Sequence, residues 1–317
     1  MNSISVVIPV YNAELALDSL CAQLLPAMEQ ITEQFEVLLV EDCSQDDSWA
    51  RVQELAKGDS RVRGIRLSRN YGQHNALLCG IRAARYDLIV TMDDDLQHPV
   101  SEVSVLLSKL EEGFDVVYGT PHQETHGLFR NLASQLTKLA LRDVMGVENA
   151  RSVSAFRAFK TSLRQAFTDY RNPSVSIDVL LTWATSNFAA VSVRHEPRTT
   201  GQSNYTLSKL VTHAFNLLTG FSTLPLRFAS FIGIAFSIFG VLILTWVLGR
   251  FLIAGSPVPG FPFLASMIAI LSGAQLLALG IFGEYLGRIH VRSLDRPAYL
   301  VREEAAAADD ATSETLP

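Results

Sequence analysis

The sequence predicts an α/β protein in which a mostly parallel sheet, covered by helices on both faces, is followed by a very apolar helical hairpin. Three observations predict it. Short β-branched apolar runs alternate with longer amphipathic segments, polar and acidic residues gather where those runs end, and two stretches near the C-terminus carry no charge at all.

Taken in order, the apolar runs at 4–10, 35–40, 65–67, 88–92 and 116–118 read as strands. Segments 14–30, 48–57, 73–84 and 101–112 lie between them with helical spacing of their apolar residues. Alternation of this kind builds a parallel sheet, whose ligands bind beyond the carboxyl ends of the strands. Three of those ends are chemically loaded: ProValTyrAsn at 9–12, GluAspCysSer at 41–44 and the acidic run Asp93, Asp94, Asp95. Beyond Gly119 the expectation is a mobile loop over 120–127, helices near 128–143 and 174–186, and a strand at 190–195. Residues 203–227 are amphipathic and read as helices lying on a membrane surface.

Residues 228–249 and 251–283 are uncharged and separated only by Arg250, so spans near 228–248 and 263–283 are each long enough to cross a hydrocarbon core of about 30 Å. The turn between them is rich in proline and glycine. Arg227 precedes the hairpin, and Arg288, Arg292, Arg296 and Arg302 follow it, which predicts that both ends are cytoplasmic. Arg250 would snorkel at the far face. Gly273, Ala274, Gly280, Gly283 and Gly287 suit close helix contact and assembly into a homo-oligomer. The expected organisation is a cytoplasmic domain at 1–202, surface helices at 203–227, the hairpin at 228–288 and a tail at 289–317, disordered from 303.

Composition excludes several classes. With 48% hydrophobic and 18% charged residues and a mean hydropathy of +0.21, the chain is neither disordered nor fibrous. Its net charge of −6 and pI near 5.7 argue against nucleic acid as a partner. Five of the acids fall at 303–317 with no base, leaving 27 acids against 26 bases elsewhere. Three scattered cysteines give neither a disulfide framework nor a zinc pattern, and the N-terminus lacks the basic start of a signal peptide, so a reducing compartment is expected.

ThrMetAspAspAspLeuGlnHisPro at 91–99 follows an apolar strand and precedes a helix. Asp93 and Asp95 alternate along extended chain, so both can point to one side and offer hard oxygen ligands to Mg2+ or Mn2+ with phosphates completing the shell. Taken alone, the run reads more readily as Asp94 and Asp95 capping the next helix. His122 and His126 have the spacing of zinc ligands but lack the glutamate after the first histidine, and read as loop residues. Cys43 reads as a small residue at a strand end, and His98 as packing at a helix start.

ValIleProValTyrAsnAlaGlu at 7–14, ValGluAspCysSerGlnAspAspSer at 40–48, ArgAsnTyrGlyGlnHisAsnAla at 69–76 and AspAspAspLeuGlnHisPro at 93–99 occur in order at matching element ends. Together they resemble glycosyltransferase family 2, and most closely its subgroup that transfers a sugar to a polyprenyl phosphate. The resemblance extends to GlyGluTyrLeuGlyArgIle at 283–289. It implies an A-type nucleotide-sugar domain with a Rossmann-like mixed sheet and an inverting transfer from a nucleoside diphosphate sugar to a lipid phosphate, most readily undecaprenyl phosphate. The setting it implies is the bacterial inner membrane. Pro9, Tyr11, Glu14, Asp42 and Asp94 would line the donor pocket, with Asp42 on the base. Asp93 would sit by the ribose and diphosphate, while Asp95 and Gln97 would hold the metal. Arg130, Ser134 and Arg198 match residues that grip the acceptor phosphate.

Three positions depart from the subgroup: Asn204 stands for a lysine, Arg151 for an acid before the PheArg strand, and Pro121 and His122 for a basic residue after GlyThr. A hydroxyl acceptor would need a general base, for which Asp178 is the nearest unassigned residue, whereas an acceptor phosphate is already anionic. Transfer to a glycan hydroxyl is therefore the alternative reaction. A membrane-anchored nucleotide-sugar-binding protein or flippase accessory without turnover is the alternative of another class.

Overall fold

The computed structural model describes residues 3–95, 97, 99–121, 153–194, 224–254 and 260–306. The elements in chain order are β1 (Ile4–Val10), α1 (Glu14–Ile31), β2 (Phe35–Glu41), α2 (Ser48–Gly58), β3 (Val62–Leu67), α3 (Gln73–Ala83) and β4 (Leu88–Thr91). A 3-10 turn at Val100–Glu102 leads into α4 (Val103–Glu111), followed by β5 (Val116–Pro121) and β6 (Arg157–Lys160). Another 3-10 segment, Thr161–Phe167, precedes α5 (Ile177–Ala184) and β7 (Phe188–Val193). The long helices α6 (Leu224–Ala254) and α7 (Phe261–Ser293) come next, and β8 (Val301–Ala305) closes the described chain.

One eight-stranded sheet runs in the order β7-β5-β6-β4-β1-β2-β3-β8. Strands β4, β1, β2 and β3 are parallel, β6 is antiparallel to both β4 and β5, and β8 is antiparallel to β3. The sheet is therefore mixed, and the first five predicted strands and four predicted helices stand where the sequence puts them. The period-two pattern sorts each strand onto two faces. Ile4, Val6, Ile8 and Val10 of β1 pack with Leu17, Leu20 and Leu24 of α1, whereas Val7, Leu38 and Val40 meet Leu77 and Ile81 of α3 and Leu181 of α5. Each fully buried side chain of this kind contributes about 1.5–3 kcal/mol.

Several expectations change. Thr120 and Pro121 still belong to β5, while the rest of the expected loop and the helix near 128–143 lie outside the described residues. The helix expected at 174–186 is confined to α5 and the strand at 190–195 begins at Phe188. Residues 203–223 are also outside the description. The larger correction concerns the tail. Residues 303–305, expected to be disordered, form most of β8, whose register sets Arg66 opposite Glu303 and Ile65 opposite Glu304. The chain thus leaves the sheet after β7, runs through α6 and α7, and returns to complete the opposite edge.

Helices α6 and α7 have 31 and 33 residues, are long and apolar enough to cross a membrane, and pack on each other. Their apolar side chains turn outward, with Phe231 70% and Ile253 91% exposed, a surface that water would penalise and lipid would not. Arg250 lies over the Trp246 ring, 5.8 Å from its centre. Among the described residues, a Cβ at Gly273, Gly280, Gly283 or Gly287 would meet nothing within 4 Å.

Gly80 sets the approach of α3 to the sheet, because a Cβ there would stand 2.3 Å from Val7 Cγ1 and 3.0 Å from Val40 Cγ2. Gly80→Val is expected to destabilise the domain by about 1–3 kcal/mol through overpacking, read as a lower melting temperature of the detergent-solubilised chain. An unchanged melting temperature would show that α3 can shift freely.

Candidate active site

Strand β1 lies between β2 and β4, so the chain crosses from β1 to β2 on one side and returns to pair β4 on the other, the switch point beside which ligands of open α/β sheets bind, in the crevice beyond the strand ends. Loops after β1, β2, β3 and β4 meet there. Residue Tyr11 donates its backbone N–H to Asp94 Oδ2 at 3.4 Å, which ties the β1 loop to the acidic run across this crevice.

The loops after β1 and β2 cap each other's helices. Helix α1 has no side-chain cap of its own. Instead Ser48 Oγ accepts from Ala13 N at 2.9 Å and Asp46 Oδ2 from Glu14 N at 3.1 Å, while Glu14 Oε2 accepts from Asp47 N at 3.4 Å. Asn12 N donates to Ser44 Oγ at 3.0 Å, and Asn12 Oδ1 accepts from Gln45 N at 2.9 Å. Asn12 and Cys43 hold φ of 53° and 56°, a left-handed backbone that Asn tolerates and Cys adopts only when neighbours enforce it.

Asp42, on the last turn of chain leaving β2, is buried. Its two oxygens each accept a backbone N–H at 2.7 Å, from Tyr71 and from Gly72, the latter at φ 94°. Burial pushes this carboxyl up to about 6, against the opposing pull of those two hydrogen bonds. The loop so fixed starts α3, whose first residue Gln73 donates Nε2 to Asp93 Oδ1 at 2.6 Å.

Asp93, Asp94 and Asp95 are therefore held together at the end of β4. Asp95 is buried and accepts from Gln97 N at 3.2 Å. Burial, reinforced by the charges of Asp93 and Asp95, pushes Asp94 up to about 7 despite the bond from Tyr11. Pro9 is buried in β1 opposite Val40, and Tyr11 is 40% exposed at the rim. Leu96, His98, His122, His126, Arg130, Ser134, Arg151, Arg198 and Asn204 lie outside the described residues.

Asp178, the residue expected to serve if a general base is needed, belongs to a buried ion pair. It is buried at the start of α5, ion-paired with the fully buried Arg157 of β6, and accepts from Tyr118 Oη at 3.1 Å. The Arg157 guanidinium thus engages this carboxylate, and removing either partner of such a buried pair typically costs about 3–5 kcal/mol. Burial also drives the Tyr118 phenol well above its ordinary range. Arg157, Tyr118 and Gln73 were not singled out by the sequence. Gln73 lies inside the 69–76 motif and Arg157 in the PheArg pair, so position within a motif was the available signal.

Among the described residues no three His, Cys, Asp or Glu side chains converge as a complete metal shell. Two neighbouring carboxylates beside an open crevice nevertheless fit a hard divalent ion that takes its remaining ligands from phosphate and water.

A doubly wound sheet with clustered carboxylates at its switch point is the architecture of an α/β enzyme that handles nucleotides. The chain belongs to Glycosyl transferase family 2, whose sequence model matches residues 5–170. It is 36% identical over 304 residues to the undecaprenyl-phosphate 4-deoxy-4-formamido-L-arabinose transferase of Shewanella sediminis, covering 95% of this chain and 92% of that one. The enzyme of the same name from Proteus mirabilis is 33% identical, with 96% and 94% covered. Among solved structures, glucosyl-3-phosphoglycerate synthase from Mycobacterium tuberculosis, in complex with Mn2+, UDP-glucose and phosphoglyceric acid, shares the fold with a TM-score of 0.53 and 20% identity, covering 69% of this chain and 79% of that one.

The raised Asp42 carboxyl carries a sign that can be measured. Between the ordinary 3.8 and about 6 the folded chain holds a proton that the unfolded chain has lost, so this group's contribution to stability is complete below pH 3.8 and is lost as pH rises through 6. Melting temperatures from pH 4 to 7 should fall less steeply in Asp42→Asn than in the parent. Parallel curves would show that Asp42 titrates normally.

Proposed function

We propose that this family 2 enzyme moves a sugar from a nucleoside diphosphate sugar to undecaprenyl phosphate by single displacement at the anomeric carbon, for modification of the cell envelope. Near full-length similarity to transferases named for that reaction carries the reading. Their name makes 4-deoxy-4-formamido-L-arabinose the first sugar to test. The carboxylates gathered at the switch point support it independently, since they offer a metal-assisted diphosphate site.

In this reading Asp95, Asp93 and Gln97 hold Mg2+ or Mn2+, which when bound offsets the negative charge that develops on the departing diphosphate. Asp95 and Asp93 are thus the catalytic carboxylates. Tyr11 and Pro9 line the nucleoside side, with Glu14, Asp42 and Asp94 shaping the pocket through the backbone they hold. Each Asp42 oxygen keeps a second lone pair after binding the Tyr71 and Gly72 N–H groups, which leaves it able to accept from a base. Arg130, Ser134 and Arg198 would grip the acceptor phosphate. An anionic acceptor needs no general base, which accords with Asp178 being occupied by Arg157.

Helices α6 and α7 would cross the bacterial inner membrane, with the catalytic domain and both ends in the cytoplasm, as the arginines flanking the hairpin favour. Residues 203–227 would lie at the headgroups and bring the site to the depth of a lipid phosphate, and the open glycine face of α7 would be available for self-association.

Membranes containing the chain, incubated with labelled nucleotide sugars and Mg2+ or Mn2+ and then extracted into organic solvent, should yield label in an acid-labile lipid. Asp95→Ala should lower that transfer by at least about 100-fold while leaving the melting temperature close to the parent. Label in an acid-stable lipid would point to a hydroxyl acceptor. Donor binding without any transfer would overturn the enzymatic reading.

A further inference from the structure

The chain that emerges from α7 is built into the domain beside the loops of the candidate donor site. Ala298 is buried in the core on the α3 side, Leu300 O accepts from Ser68 N at 2.8 Å at the end of β3, and β8 then pairs along β3. Glu303 is the acid of β8 that turns toward Trp49 and Arg66. Its Oε2 accepts from Trp49 Nε1 at 3.1 Å, and its Oε1 lies 3.7 Å from Arg66 Nη1 and 3.4 Å from Nε of the exposed Arg302.

Arg66 connects this contact to the site. Its guanidinium sits 5.7 Å from the Trp49 ring centre, and its Nε faces Oε2 of Glu41 at 3.1 Å. Glu41 is completely buried, and its other oxygen accepts from Ser44 N. Ser44 Oγ in turn holds Asn12 N, in the stretch where Asn12 and Cys43 keep left-handed backbone. The Nε of Arg66 and the Oε2 of Glu41 are buried and face each other out of hydrogen-bond alignment, so the pair depends on where the guanidinium is held. Glu303 and Trp49 hold it from the outer side.

We infer that Glu303 is a positioning residue for the nucleoside side of the donor site, acting through Arg66 and Glu41 on the loop at Asp42–Ser44. The inference rests on the donor-site reading given above. Without the Glu303 charge, Arg66 is released toward solvent, Glu41 loses its counter-charge, and the turn that Glu41 and Ser44 hold in left-handed geometry relaxes. The segment that follows the helical hairpin thereby sets the shape of a loop built about 260 residues earlier in the chain.

The full-length chain in nanodiscs serves for the test, with UDP as the binding probe and UDP-4-deoxy-4-formamido-L-arabinose with undecaprenyl phosphate as substrates. Glu303→Gln should weaken UDP binding and raise the donor KM by about three- to tenfold, with kcat and the acceptor KM within about twofold of the parent. Glu303→Asp should recover most of the loss. Glu304→Gln, which removes a charge from the exposed neighbour of Glu303 on the same strand, should leave the donor KM unchanged even where it lowers the melting temperature. Normal UDP binding by Glu303→Gln, with only a lower melting temperature, overturns the inference and leaves the donor reading standing. A parent chain that neither binds UDP nor transfers sugar overturns both.

Discussion

Parallel strands that end side by side leave backbone N–H groups of the following loops and helix starts pointing at one another, out of reach of the ladder that satisfied the strands. This protein answers that constraint almost entirely with side-chain oxygens. Asp42 takes two such N–H groups, Asp46 takes those of Glu14 and Ser48, Ser44 and Ser48 take those of Asn12 and Ala13, and Asp94 takes that of Tyr11. Each acid is placed by the need of a neighbouring loop. The sum is a rim of carboxylates facing a crevice, and the negative charge so gathered creates a demand for a cation and for donors that backbone amides alone do not meet. Structure and chemistry at this edge therefore share one origin.

Much of the fold could be read directly because β1, β2 and β4 are rich in buried apolar residues and the helices between them keep a clean helical period. β6 is four residues long and was carried only by the PheArg resemblance. β8 was hidden for a physical reason. In ValArgGluGluAla the less exposed positions are Val301, Glu303 and Ala305, but an irregularity between Arg66 and Leu67 breaks the register, the middle residue is an acid, and the stretch reads as part of a charged tail. At the site, residue types were legible and their partners were not. A carboxylate at a strand end looks the same whether it faces a ligand or an orphan N–H, which is why Glu14, Asp42 and Asp178 were anticipated as ligand or base residues while their geometry first serves Asp47, Tyr71 with Gly72, and Arg157.

The two halves of the molecule obey different solvents. In the sheet domain apolar side chains point inward and the rim is polar, whereas on α6 and α7 the large apolar groups point outward and few side chains are buried at all. The same driving force produces both patterns once the second half is surrounded by hydrocarbon.

The return of the chain to the sheet also orders the protein's biogenesis. β3 is made early, yet the strand that pairs with its outer edge is synthesised only after both apolar helices. A nascent domain therefore exposes an open sheet edge until the chain beyond α7 has been made, and unpaired edges recruit other chains. A chain that stops short of β8 leaves that edge unsealed, so aggregation of incomplete chains follows from topology alone.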